Sequence, residues 1–258
     1  MKTKDIVRQS INVIATLVTL TVNGLANSLP INGLTTGDIS DNFDVFFVPA
    51  GYVFSIWGVI YLGLIAFTLY QALPSQRENP RLRRIGYLYA LSGAANSMWI
   101  FLWHYQRFPL TMLAMLILLG SLIAIYLRLG IGRTAVSTAE RWAVRVPMSI
   151  YLGWISVATI ANATSLLDTL GWGGWGIAPD IWALLMLIVA AAIAGLVLWT
   201  RRDLGYGLVF VWAYIGIAVE HAGTRTVSIP AGVLAAAIAV GVIVTGLNRR
   251  GVYADQPC

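Results

Sequence analysis

Apolar residues gather in eight stretches, at 6–29, 50–72, 84–104, 109–127, 145–167, 180–200, 204–221 and 228–247, with short polar segments between them. Each stretch is close to the ~20 residues that carry a helix across ~30 Å of hydrocarbon. The pattern predicts an all-α, multi-pass integral membrane protein. Its weakest member is the seventh stretch, a short, glycine-containing run closed by Glu220 and His221. The first follows Lys2, Lys4 and Arg8 and ends in Ala26-Asn27-Ser28, which resembles a signal peptide with its cleavage pattern. It is longer than a signal h-region and is interrupted by Thr16, Thr19, Thr21 and Asn23, so it reads as a retained helix.

Charge fixes a direction for this threading. The chain holds 17 Lys and Arg. With the N-terminus inside, the inner segments collect Lys2, Lys4, Arg8, Arg77, Arg81, Arg83, Arg84, Arg128, Arg133, Arg141, Arg145, Arg201, Arg202, Arg249 and Arg250, leaving only Arg107 and Arg225 outside. Basic residues favour the cytoplasmic side, so both termini are expected there, in a bacterial plasma membrane. Hydrophobic residues make up 58% of the chain and charged residues 11%, too apolar for a soluble domain. The formal charge of +6 therefore reflects anchoring and not a nucleic-acid surface, and nucleic acid is excluded as a partner. One cysteine, Cys258, allows no intramolecular disulfide, and two histidines, His104 and His221, are too few for a protein-only zinc site. No nucleophile–base pair is visible either: Ser92, Ser97, Ser149 and Ser156 lie in the apolar stretches and are expected to bond back to helix carbonyls.

The longest polar connection, from Pro30 to Pro49, carries Asp38, Asp41 and Asp44 and ends in Phe46-Phe47-Val48-Pro49. A loop of this length in a compact bundle is more often functional than a tether, and it is expected to fold over a pocket as a lid. Composition changes near Asp168, where Gly171-Trp172-Gly173-Gly174-Trp175-Gly176 introduces three spans rich in Ala, Gly, Val, Leu and Ile. This divides the chain into a five-helix module, 1–168, and a three-helix extension, 169–258.

Polar and aromatic residues inside the spans are the candidates for chemistry. Ala26-Asn27, Ala95-Asn96 and Ala161-Asn162 recur in spans one, three and five at similar depth, which suggests that the asparagines face one space. An amide in lipid needs a partner, so the plain reading of Asn96 and Asn162 is interhelical bonding worth about 1 kcal/mol or less per contact. Tyr52, Phe54, Trp57 and Tyr61 in span two, Trp99 and Trp103 in span three, and Tyr151 and Trp154 in span five follow helical spacings. Trp103, Trp142, Trp172, Trp175, Trp182 and Trp199 fit the interfacial aromatic belt. Trp57, Trp99 and Trp154 lie deeper, where an indole N–H needs a partner and a flat ligand could stack between rings. His104 reads as a solvated helix end, with iron ligation as the less favoured option. Glu220, His221 and Arg225 read as a solvated end with a local ion pair, the alternative being a proton-linked trio.

These motifs carry a resemblance. Pro49-Ala50-Gly51-Tyr52-Val53-Phe54-Ser55-Ile56-Trp57 with Tyr61 resembles the signature that opens the second helix of the TspO/MBR family, the tryptophan-rich sensory or translocator proteins. Ala95-Asn96-x-x-Trp99 is similar to that family's third-helix motif, and Trp154-x-x-x-Ala158-x-x-x-Asn162 to its fifth. Ala50 stands where the family has a second proline, and Ile150-Tyr151 replaces its Pro-Tyr. The resemblance covers roughly 6–168. It implies a five-helix bundle with a pocket beneath the first loop for porphyrins such as protoporphyrin and haem, or for sterol-like lipids. Trp57, Asn96, Trp154, Ala158 and Asn162 carry over as pocket positions; Phe47, Pro49, Tyr52, Phe54, Tyr61, Trp99 and Tyr151 join them from the reading of the residues.

The expected function is binding or sensing of a planar hydrophobic ligand, a tetrapyrrole first, without turnover, metal or required cofactor. Its partners are that tetrapyrrole or a sterol- or carotenoid-like lipid, the membrane lipids and, as an open option, a second copy of the chain. Two readings compete with it: a secondary transporter of a small hydrophobic or amphipathic molecule, and an enzyme modifying a porphyrin or carotenoid-like lipid.

Overall fold

The structure, a computed structural model, describes residues 2–29 and 31–254. Pro30 and Cys258 lie outside these, as do the side chains of Lys2, Arg249 and Arg250. Among the described residues eight long helices carry the eight apolar stretches: α1 (Lys2–Ser28), α2 (Ile56–Ala72), α3 (Leu88–His104), α4 (Phe108–Arg128), α5 (Val146–Thr169), α6 (Pro179–Arg201), α7 (Leu204–Glu220) and α8 (Arg225–Ala254). Six of the apolar helical segments are long and apolar enough to cross a membrane, counting α2 with its leading 3₁₀ turn at Gly51–Ser55 and α5 with the turns before it. The other two, α3 and α7, have 17 residues each, about 25 Å of helix. The protein is an all-α, multi-pass integral membrane protein.

The chain forms two compact units. The first takes the residues up to Asp44 and Phe54–Gly171; the second takes Val45–Val53 and the chain from Trp172 onward. In the first unit α1 packs on α2 and α3, α3 on α4, α4 on α5, and α5 on α2, so the five helices close a ring. Small residues set the tightest approaches. A Cβ on Gly63 of α2 would lie 2.9 Å from Pro147 Cβ of α5, and one on Gly93 of α3 would lie 2.8 Å from Thr19 Oγ1 of α1. A π-helical turn at Arg141–Arg145 leads into α5. In the second unit α6, α7 and α8 pack pairwise, and the Tyr214 hydroxyl donates to the Leu187 carbonyl at 2.5 Å.

α1 is turned inside out relative to a helix of a soluble protein. Asp5, Gln9, Asn12, Thr16, Thr19 and Asn23, spaced alternately by four and three, are all buried, whereas Ile6, Ile11, Ile14, Leu17, Val18 and Leu25 are exposed. The polar seam meets α2 and α3. Gln9 donates to the Gln71 carbonyl at 2.6 Å and Gln71 returns a bond to the Gln9 carbonyl at 3.2 Å. Thr16 Oγ1 lies 2.6 Å from Thr68 Oγ1 and 2.7 Å from the Tyr89 hydroxyl. At the charged end Arg83 forks onto Asp5 at 2.9 and 2.6 Å, and Arg81 onto Glu140 at 2.5 and 2.7 Å. Each carboxylate stabilises its guanidinium, so both arginines are held above their ordinary pKa, chiefly by the hydrogen bond.

The basic residues at the ends of these helices make the topology testable. A reporter fused after Cys258 is expected to be cytoplasmic, and one inserted between Ser40 and Asp44 to be external. An external C-terminus would overturn the even threading.

Candidate functional site

Two aromatic clusters occupy the five-helix unit, and the sequence-predicted residues divide between them. The first lies between α2 and α5. The 3₁₀ turn brings up Phe54, and the first two turns of α2 present Trp57 and Tyr61. Phe54 meets Trp154 edge-on, with centroids 5.8 Å apart, and Trp57 stacks on Tyr61 at 5.6 Å. Trp57 also sets its edge against Tyr151 at 6.1 Å and Trp154 at 6.4 Å. Tyr151 and Trp154 are buried, and Ala158, one turn beyond Trp154, is half-buried. The spacing Tyr151, Trp154, Ala158 therefore does what the sequence predicts and aligns one face of α5.

The asparagines do not face one space. Asn96 accepts from Asn23 Nδ2 at 2.6 Å, and Asn23 Oδ1 in turn accepts from the Tyr61 hydroxyl at 3.0 Å. The partner on α1 is thus Asn23, one turn below the expected Asn27; Asn27 is exposed and donates to the Asn23 carbonyl at 2.9 Å. Asn162 sits elsewhere. It accepts from Trp99 Nε1 at 2.6 Å and donates to Thr111 Oγ1 at 3.1 Å, tying α3, α4 and α5 together.

Trp99 belongs to the second cluster, beneath the first part of the long loop. It stacks on Trp103 at 5.1 Å, and Phe43, Phe108, Ile39, Leu34 and Leu166 complete the packing. A short helix, Thr36–Ser40, covers this end, fixed by a reciprocal cap between Thr35 and Asp38 whose backbone bond holds the Asp38 carboxyl below its usual range. Trp103 is 4% exposed and donates to the Thr36 carbonyl at 3.2 Å, so the belt assignment fails for it: folding of the loop buries the ring. Trp142, Trp175 and Trp199 are exposed, as belt residues are.

His104 is not a solvated helix end. It is 0% exposed, its Nδ1 lies 2.8 Å from the Ile100 carbonyl, and Asn32 Nδ2 donates to the His104 carbonyl at 3.2 Å. The loop that buries Trp103 buries its neighbour too. Ser92 and Ser156 bond to the carbonyls of Tyr89 and Leu152 as expected, but Ser97 Oγ is buried without a partner. Glu220 is exposed, and no ion pair joins it to Arg225 among the described residues.

Phe47, Pro49 and Tyr52 fall in Val45–Val53 and so belong to the second unit. Phe47 is buried, Tyr52 meets Trp212 edge-on at 5.5 Å, and Phe46 meets His221 at 5.4 Å. The long loop is therefore two pieces, one folded on α3 and α4, the other on α7. Sequence reasoning missed the α1 seam, although its four-three spacing was available, and the α7 partners, which no local signal announces.

Trp154 Nε1 is one of several buried side-chain polar atoms left without a partner among the described residues, and it lies in the first aromatic cluster. The residue is 2% exposed and its indole N–H has no hydrogen-bond partner. Among the described residues no group of three or more His, Cys, Asp or Glu could hold a metal ion.

A comparison with curated proteins and another with solved structures each return no match. A family model described as TSPO-like protein matches residues 9–244, which takes in the three C-terminal helices as well as the five-helix ring. With the α2, α3 and α5 motifs standing on three helices of that ring, the chain belongs to the TSPO-like family.

Proposed function

We propose that the protein is a membrane receptor or sensor whose ligand is a planar hydrophobic molecule, a tetrapyrrole such as protoporphyrin, held at the α2–α5 aromatic cluster. The observation that carries this reading is the Trp154 indole. A buried N–H without an acceptor costs about 1–3 kcal/mol, and native interiors rarely leave one so. An acceptor on a bound ligand offsets that cost. The rings of Phe54, Trp57, Tyr61 and Tyr151 in the same cluster supply apolar faces for stacking, and among the described residues no charged side chain makes a ring or hydrogen-bond contact with them. On this reading the site binds and orients its ligand.

The test is a titration of the purified protein in nanodiscs with protoporphyrin, followed by tryptophan emission. Saturable quenching at one ligand per chain in the low micromolar range is expected. Absence of binding for both protoporphyrin and haem would reject the tetrapyrrole and move the search to sterol- and carotenoid-like lipids.

A further inference from the structure

The ion pairs at the charged end of the five-helix unit leave Arg8 short of a partner. Its side chain is buried and lies 3.6 Å from Asp5 Oδ1, but that carboxylate already takes both arms of the Arg83 fork, at 2.9 and 2.6 Å. Arg8 Nη2 donates to the Arg77 carbonyl at 2.9 Å, and Arg8 Nε is buried with no acceptor. Arg77 itself is half-buried and pairs with no carboxylate among the described residues; its Nε reaches Gln9 Oε1 at 3.4 Å. Glu78 is exposed and reaches Arg83 alone, at 3.6 Å. A guanidinium buried without its own counter-charge is costly, so an anion at this place would be stabilising.

Depth points to the kind of anion that fits. Gln9, next to Arg8 in the chain, donates to the carbonyls of Gln71 and Leu73, so this turn of α1 stands level with the end of α2, where the apolar span closes at Ala72. The polar headgroup layer begins where the hydrocarbon ends. Val7, beside Arg8, Ile11, one turn along, and Leu73 are exposed apolar residues on which an acyl chain can lie. We propose that Arg8 and Arg77 form a binding site for a phosphate, the phosphate being that of an anionic lipid headgroup. Guanidinium groups match phosphate oxygens with paired N–H donors, and basic pockets between membrane helices hold anionic headgroups. The phosphate accepts from Arg8 Nε and supplies the counter-charge that Arg77 lacks. The site uses α1 and the segment after α2 within the five-helix unit, and it shares no residue with the aromatic clusters.

The experiment takes the full chain in dodecyl maltoside and follows its thermal unfolding midpoint against added dioctanoyl phosphatidylglycerol or inorganic phosphate, since a ligand of the folded state raises that midpoint. Wild type is compared with Arg8→Gln, Arg77→Gln and, as a control, Arg141→Gln, an exposed arginine in the turn before α5. The lipid is expected to raise the wild-type midpoint, with an apparent affinity about tenfold weaker in Arg8→Gln and in Arg77→Gln, as for loss of one charge-assisted hydrogen bond, and unchanged in Arg141→Gln. Arg77→Gln touches only the 3.4 Å bond to Gln9 and serves if Arg8→Gln fails to fold. If inorganic phosphate raises the midpoint as the lipid does and with the same dependence on Arg8 and Arg77, the phosphate site stands and its occupant is the free anion. Equal responses in all four proteins would show diffuse surface charge and overturn the site, as would a wild type that responds to neither probe.

Discussion

Leucine in place of Trp154 is expected to weaken protoporphyrin binding by about 5- to 150-fold, the equivalent of ~1–3 kcal/mol for loss of a stacking ring. The indole is 2% exposed, shares edges with Phe54 and Trp57, and carries the unpartnered N–H. Leucine keeps apolar volume but removes the stacking face and the donor together. Trp154→Phe bears on which matters more, since it keeps a smaller aromatic face and deletes the N–H. Trp199→Leu is the control, because that ring is 83% exposed near the end of α6 and should leave affinity unchanged. Equal losses from Trp154→Leu and Trp199→Leu, both measured by equilibrium quenching, would show that the ligand does not use the α2–α5 cluster.

Asn23→Leu is expected to be the most destabilising substitution in α1, by about 2–4 kcal/mol. It removes the donor to Asn96 Oδ1 and the acceptor of the Tyr61 hydroxyl at once, leaving one buried and one half-buried polar group unpaired, the buried one at about 1–3 kcal/mol. Thr16→Val should cost less, about 1–2 kcal/mol, because the Thr68 and Tyr89 hydroxyls that lose Thr16 also bond each other. Thr21→Val on the exposed face of α1 should cost nothing. Unfolding in a denaturing detergent, read by circular dichroism, gives all three values. If Asn23→Leu and Thr21→Val unfold together, the seam carries no stability.

The eight helices were readable because an apolar run of membrane length admits few alternatives, and their bounds in the structure differ from the sequence reading mainly at the ends. The aromatic face of α5 was readable for a similar reason: Tyr151, Trp154 and Ala158 obey helical spacing, and a helix has one inner face. The expected asparagine alignment fails twice: on α1 the inward amide is Asn23, one turn from Asn27, and Asn162 bonds Trp99 and Thr111 instead of sharing that space. Counting depth from the end of a span does not say which of two stacked amides, Asn23 or Asn27, points inward; the burial of Asn23 is set by Asn96 on another helix. The fate of Trp103 and His104 was likewise set from elsewhere. Their place at the end of α3 says interface, and only the loop helix Thr36–Ser40, closing over them, makes it interior.

The least readable feature was the division of the long loop. Nothing between Asp44 and Phe54 distinguishes the part that joins α7, and its partners lie far along the chain: Val48 and His221 are 173 residues apart, Val53 and Trp212 159. Local composition cannot encode a pairing of that range. It could be glimpsed only from Gly216, a glycine in the middle of an apolar helix, where a close approach by another segment is the usual reason.

The inverted face of α1 also has a consequence for how the protein is made. α1 is the least apolar of the six long spans, and it leaves the ribosome before the helices that satisfy it exist. Until α2 and α3 emerge, Gln9, Asn12, Thr16 and Asn23 have no partners on other helices, and the lone helix is a poor resident of lipid. Synthesis of the chain that follows α1, as far as Asn96, supplies the partners of its polar seam. Because α1, α2 and α3, which share the polar seam, follow one another in the chain, that pairing can finish before α4 to α8 are made.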